Sequence, residues 1–340
     1  MVKGNLLPTG KLDVEILRRL LQRYSRSDER VLLGPRLGED AAAIDMGDRV
    51  LVVTTDPITF ATNEIGYYSV MVNANDIATT GAEPKWYTVT ILLPETQGNK
   101  NLANSIFQQI HQACENLSIS LIGGHTEITH GLDRPIVVGQ MMGEVQREAL
   151  ITTAGAELGD LILLSKGICI EGTSIIAREK EEDLLYRGIS QDLVERAQRF
   201  LFDPGISIVK EARLASQAGL VHSMHDITEG GLANGLHELS MAARVEIEVE
   251  KDRIPIYEES RILCEAFGLD PLGAIASGSL LITAPPPEIE KILGRAHRGG
   301  ISMTRIGCVK AAGSPSVTMV TSKGNEPVPY FDRDEVVRIF

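Results

Sequence analysis

Residues 65–80, IGYYSVMVNANDIATT, restrict the fold more than any other passage of the chain. Ser69, Asn73, Asp76 and Thr80 recur at spacings of four, three and four, which places them in one stripe along a helix. The flanking Val70, Met71, Val72, Ala74, Ile77 and Ala78 are apolar. A helix on a wet surface carries Lys, Glu or Arg on its polar side. This stripe instead carries short side chains that form helices poorly and that hydrogen-bond locally or coordinate a metal. The helix is therefore buried on most sides, and its stripe faces a ligand or closes a polar network in the core. Gly81 ends it.

Around this helix the periodicities predict an α/β (α+β) chain. Asp13 caps a first helix with Val14, Leu17, Leu20, Leu21 and Tyr24 on the side that packs on a sheet. Residues 50–54 read as a strand buried on both faces and stopped by Pro57. Strands at 86–93, 119–122 and 136–142 and a helix at 102–117 complete a mixed sheet with helices on one side. The turn-rich TTAGAELGD at 152–160 marks the boundary between an N-terminal domain, 1–152, and a C-terminal α/β domain, 153–312, with 313–340 as a tail docked on the latter. In the second domain the strands are 161–165, 245–249, 275–282 and 303–309. Its helices are 204–219, with Pro204 at the start and Gly219 at the stop, and 232–244.

Two domains suit 340 residues, and 43% hydrophobic content excludes a disordered chain. The 46 acidic against 33 basic residues argue against binding to nucleic acid or an anionic membrane. They suit either a protein that holds divalent cations or an acidic soluble surface. MVKGNLLPTGKLD lacks the apolar core of a signal peptide, and no apolar run reaches the ~20 residues of a membrane-spanning helix, so the expected location is cytoplasmic. Cys114, Cys169, Cys264 and Cys308 form no CxxC pair and read as small buried hydrophobes.

Neither GxxxxGK[ST] nor GxGxxG occurs, so a nucleotide site has to be built another way. Asp40 in GEDAA, Asp56 after a strand and Asp76 in the buried helix would hold Mg²⁺ if they converge; otherwise Asp40 and Asp56 cap turns. Gly123-Gly124-His125-Thr126-Glu127 follows a strand, and its glycines allow close approach of backbone to a ligand. His225-Asp226-Ile227-Thr228-Glu229-Gly230-Gly231 enters a helix whose N-terminus would offer N–H groups to an anion. A cap by Thr228 or Glu229 accounts for part of it, while His225, Asp226 and Glu229 go beyond what a cap requires.

LPTGKL, GEDAA, TTDPITF, VNANDIATTGAEP, GGHTE and HDITEGGL occur in this order. Over about residues 5–310 the chain thereby resembles the superfamily of aminoimidazole ribonucleotide synthetase (PurM), selenophosphate synthetase, thiamine-monophosphate kinase and HypE, most of all its HypE branch. The resemblance implies a two-domain PurM-like subunit whose N-terminal domains pair into a homodimer and bind ATP and Mg²⁺. Carried over, Asp40, Asp56 and Asp76 look like the metal ligands, Gly10 and Lys11 like a phosphate-covering segment, and Asn73, Gly123 and Gly124 like parts of the nucleotide site. Asp226 would face the phosphates, with Glu229 beside it and His125 as another proton-handling group. Several relatives carry an acid where this chain has His125, and Glu127 would take over as metal ligand. HypE ends in Pro-Arg-Ile-Cys, whereas Val337-Arg338-Ile339-Phe340 carries no thiol. The implied function is ATP-dependent activation of an amide, carboxylate or similar oxygen on a small-molecule or protein acceptor, with a possible maturation-protein partner. The alternatives are a small-molecule kinase resembling thiamine-monophosphate kinase, and a non-catalytic nucleotide-binding assembly protein for metallocentre maturation.

Overall fold

A computed structural model describes residues 12–26, 28–36, 38–59 and 63–340. Helix α1 (Val14–Tyr24) starts where predicted, because Asp13 Oδ1 accepts from the N–H groups of Glu15 and Ile16, each at 3.0 Å. On the side expected to pack on a sheet, Leu17 and Leu21 are half-buried, while Leu20 is 43% and Tyr24 71% exposed. Amphipathicity fixes which side of a helix is apolar and not which surface receives it.

The first sheet contains β1 (Val31–Leu33), β2 (Ala42–Asp45), β3 (Val50–Ile58), β4 (Glu83–Pro94), β5 (Ser120–Thr129) and β6 (Ile136–Val145). Their order is β1-β2-β3-β6-β4-β5, with β4 and β5 parallel and the other pairs antiparallel, so the sheet is mixed as expected. Helices α2 (Ile65–Thr79) and α3 (Lys100–Leu117) cover one face. Tyr87, Val89, Ile91 and Leu93 of β4 are buried there, while Trp86, Thr88, Thr90 and Leu92 on the other face are half-buried.

Two expectations change. Pro57 does not stop β3, since it pairs with Val138 of β6 at a level where β2 has already ended. A proline is tolerated at such a locally unpaired edge, and Asp56 consequently sits inside a strand. GGHTE likewise lies within β5, not after it, because pairing with β4 continues from Trp86 to Pro94 past an irregularity at Ile122.

The second sheet is built from β7 (Leu161–Ser165), β8 (Ser223–Asp226), β9 (Val245–Glu250), β10 (Leu280–Ala284), β11 (Met303–Ala312), β12 (Ser316–Thr321) and β13 (Gly324–Pro327), in the order β13-β12-β9-β11-β7-β10-β8. Helices α4 (Ile170–Glu179), α5 (Glu181–Tyr186), α6 (Gln191–Gln198), α7 (Val209–Ser216), α8 (Gly231–Ala243), α9 (Glu258–Phe267) and α10 (Pro286–Arg298) accompany it. Residues 313–340, expected as a docked tail, supply β12 and β13 to this sheet and bury Val317, Met319, Val328 and Val336. The helix expected over 204–219 begins at Val209, because the preceding backbone is bonded to side chains of other elements. The strand expected over 275–282 begins at Leu280. Cys169 and Cys264 are not isolated: their Sγ atoms stand 3.8 Å apart in the core.

α2 carries the most weight in this arrangement. It packs on α3, β3 and β6 on one side and on α7 and β8 on the other, so it lies between the two sheets. Thirteen of its fifteen residues are buried, as a helix without long charged side chains requires.

Candidate functional site

The polar stripe of α2 turns toward the first sheet. Tyr87 Oη donates to Ser69 Oγ at 2.9 Å, and Ser69 Oγ donates to the Gly66 carbonyl at 2.9 Å. Asn73 accepts the Asp56 N–H at 3.0 Å and donates to the Ser69 carbonyl at 2.8 Å. Thr80 Oγ1 donates to the Ile77 carbonyl at 2.7 Å. Of the two readings of the stripe, an internal network therefore describes Ser69, Asn73 and Thr80, and Asn73 spends its amide on fixing Asp56. Asp76 differs. Its Oδ2 accepts from Thr54 Oγ1 at 2.7 Å, and it gathers the charges of Asp56, Asp226 and Asp40 around it.

Asp40 precedes β2, and its carboxylate meets the second sheet directly. His225, on β8, places Nδ1 3.1 Å from Asp40 Oδ2 and Nε2 3.0 Å from Glu238 Oε2 on α8. With a carboxylate at each ring nitrogen, both nitrogens donate. Burial alone would lower the pKa of His225, but Asp40 and Glu238 outweigh it and hold the imidazolium well above its usual range. Asp76 moves upward too: burial comes first, followed by the charges of Asp56, Asp226 and Asp40.

Asp40, His225 and Asp226 each bring a ligand atom to within 4.8 Å of one another. His225 is held by a carboxylate at each ring nitrogen, so Asp40 and Asp226 supply the oxygen donors of this group, and Asp56 and Asp76 add their charges beside it. Oxygen donors of this kind fit a hard divalent cation. Such an ion would also offset the charges of Asp56, Asp226 and Asp40 that, after burial, raise the pKa of Asp76.

Residues 38–145 match the N-terminal domain, and residues 157–320 the C-terminal domain, of the AIR synthase related protein family. The chain belongs to this family. The carbamoyl dehydratase HypE of Cupriavidus necator is 29% identical over 320 residues, which cover 89% of this chain and 86% of that protein. The thiamine-monophosphate kinase of Aquifex aeolicus is 25% identical over 279 residues, 78% of this chain and 86% of that enzyme. In fold, the chain is similar to a solved HypE–HypF complex, with a TM-score of 0.75, 21% identity and coverage of 94% of this chain and 100% of that one. It is also similar to HypE solved with ATP, with a TM-score of 0.72, 23% identity and coverage of 94% and 96%.

Not all expected site residues of this AIR synthase related chain are brought together. Asp56 is in register with Gly124 only through Gly139 and Val89, three strand spacings or about 14 Å apart. Gly123, Gly124, His125 and Glu127 therefore stand at the far edge of the sheet from Asp40, Asp56 and Asp76, and Glu127 is not grouped with those acids within one chain. A Cβ on Gly124 would run into the Val89 carbonyl, so this glycine serves the β4–β5 contact. His125 Nε2 lies 3.0 Å from Glu127 Oε2, and Thr129 donates to Glu127 at 2.8 Å. These exposed contacts hold the Glu127 pKa below its usual value.

Glu229 is exposed in the turn before α8. The N–H of Gly230 is not open to an anion as expected, because Asp334 Oδ2 accepts it at 2.7 Å. Gly10 and Lys11 lie outside the described residues.

Glu238 and Glu171 had no sequence signal, and His225 was singled out without its partners. His225 and Glu238 form the counter-charge to Asp40; adjacency to Asp226 was the only signal for His225. Glu171, on α4, is buried: Ser277 donates to one carboxyl oxygen, and Oε2 has no hydrogen-bond partner among the described residues. Burial first, then the charges of Glu229 and Asp334, push its pKa up to about 7.

Proposed function

We propose that this chain is a HypE-like, ATP-dependent enzyme that activates an amide, carboxylate or similar oxygen by phosphorylation. The observation that carries this reading is the meeting of Asp40, Asp56 and Asp76 from residues 1–152 with Asp226 from residues 153–312. In it, the three N-terminal acids hold Mg²⁺, which neutralises charge on the phosphates. Thr54 orients Asp76, Asn73 holds the backbone of Asp56, and His225 holds Asp40. Asp226 faces the transferring phosphoryl group from the opposite sheet, with Glu229 at the rim. The likeness to the HypE relative and to the ATP-bound fold supports this assignment.

Internal thiols make poor acceptors, since burial pushes the Cys114 thiol up to about 12 and raises that of Cys308. The similarity to thiamine-monophosphate kinase supports a small-molecule kinase as the second reading. The presence of all four acids in one chain speaks against a purely non-catalytic assembly role. Incubating the protein with Mg-ATP and carbamoyl, carboxylate or alcohol acceptors, and separating ADP from AMP, decides between the readings. Asp76→Asn should weaken Mg-ATP by about 1–3 kcal/mol in calorimetry, the scale of a lost charge-assisted contact, without lowering the stability of the ligand-free chain. Unchanged affinity would remove Asp76 from the metal site.

We also propose a homodimer through β5, an edge strand that leaves Leu121 40%, Ile122 55% and Ile128 56% exposed. Gly123, Gly124, His125 and Glu127 would then lie at the interface, where they can serve a site shared between subunits. Ile122→Lys with Ile128→Lys should convert the dimer to monomer in sedimentation at micromolar concentration; an unchanged dimer would place the interface elsewhere. No helix among the described residues is long and apolar enough to cross a membrane. A cytoplasmic place and a maturation-protein partner, as in the HypE–HypF complex, complete the proposal.

A further inference from the structure

Behind the acidic cluster, a second polar connection joins α2 to the second sheet. Lys166, just after β7, adopts a left-handed φ of 56°, a conformation that is unfavourable for a lysine and persists only where its surroundings hold it. Its ammonium donates to the Gly205 carbonyl at 2.9 Å, the Ser207 carbonyl at 2.8 Å and Glu211 at 2.9 Å. All three of its donors are thus engaged, in a pair of side chains only 6% and 4% exposed.

The backbone gripped in this way presents two groups to α2. Asn75 Nδ2 donates to the Ile206 carbonyl at 2.9 Å, and its Oδ1 accepts the Ile208 N–H at 2.9 Å. Asn75 is 0% exposed, and the next residue is Asp76. Asparagine is a poor helix former, so its place in the middle of a buried helix needs an offsetting contact.

We propose that Asn75 is a positioning residue for the acidic site: backed by Lys166 and Glu211, it sets where Asp76 stands relative to Asp226 without touching ligand or phosphate. Apolar packing alone lets a helix slide or rotate against its neighbour. One planar amide bonded to two backbone groups removes both freedoms. The polar tie inside the site, Asp40 to His225, uses a carboxylate that a bound cation would also claim. The Asn75 tie uses no such group, so it holds the two halves in register while the charges in front of it are exchanged.

This inference rests on the phosphoryl-transfer reading, and the experiment separates the two. Asn75→Ala and Asn75→Asp are compared with wild type, the latter keeping the acceptor for Ile208 N–H but losing the donor for Ile206. Steady-state hydrolysis of Mg-ATP without added acceptor, read as ADP release, is measured per folded protein. The width of a spin-label distance distribution is measured between Asn116→Cys and Lys291→Cys in a Cys308→Ser background, in each variant. In Asn75→Ala, kcat should fall by about tenfold or more, as ångström-scale misplacement of a reacting group produces, while KM for ATP stays within about threefold. The distance distribution should broaden, and Asn75→Asp should fall between the two. If Asn75→Ala does not fold, Asn75→Asp carries the same comparison. An unchanged kcat in the folded variants, a rise in KM without loss of kcat, or an unbroadened distribution would each overturn the positioning role. Wild-type protein that turns over no Mg-ATP would sink the phosphoryl-transfer reading instead, and the positioning role would then stand or fall on the distance distribution alone.

Discussion

Lys166→Met should destabilise the chain by about 3–5 kcal/mol, the cost of removing one partner from a buried ion pair. The substitution leaves the Glu211 side chain, only 4% exposed, without its cation and deprives the Gly205 and Ser207 carbonyls of their donor. Burial lowers the pKa of Lys166 while Glu211 raises it, so the lysine depends on its partner as much as the partner depends on it. The double variant Lys166→Met with Glu211→Leu should regain most of the loss, because no unpaired charge is then left inside. Urea unfolding of the two single variants and the double variant measures this. A loss below about 1 kcal/mol in Lys166→Met, the range of solvent-exposed pairs, would mean that water reaches the site.

Glu171→Gln should remove about 3 kcal/mol of pH-dependent destabilisation. The Glu171 carboxyl has an ordinary pKa of 4.5 when unfolded and about 7 when folded, so the folded state holds its proton more tightly. Below pH 4.5 both states are protonated and nothing is lost. Between pH 4.5 and 7 stability falls by about 1.4 kcal/mol per pH unit, and above pH 7 the loss is complete. Asp334, pushed up to about 6 chiefly by burial, gives a slope of the same sign in a lower window. Wild type should therefore be more stable at pH 5 than at pH 8, and the difference between wild type and Glu171→Gln should grow across that interval. Parallel stability–pH curves would show that Glu171 is solvated and titrates normally.

How much of this was readable in the chain depends on the range over which each feature is decided. The Asp13 cap, the extent of α2 and its closure by Gly81, and the mixed first sheet follow from spacing and side-chain chemistry within a few residues. Local chemistry made Asp40, Asp56 and Asp76 candidate acids with turn capping as the alternative for the first two, and the role of Asp226 came only with the family resemblance. Pro57 misled because a proline ends a strand only where its missing donor is needed, and the neighbours that settle this lie 81 residues along the chain.

Tertiary structure alone decided the rest. Sheet order put GGHTE three strands from Asp56, although both sit in strands of the same sheet. Residues 185 apart in sequence made His225 the counter-ion of Asp40, and residues 131 and 133 apart made Asn75 a bridge and not a member of the polar stripe. Local sequence sets which side chains share one side of a helix or strand. Which partner that side meets is settled by the closure of long loops and by the burial of every polar group against some acceptor or donor, and those are properties of the whole packed chain.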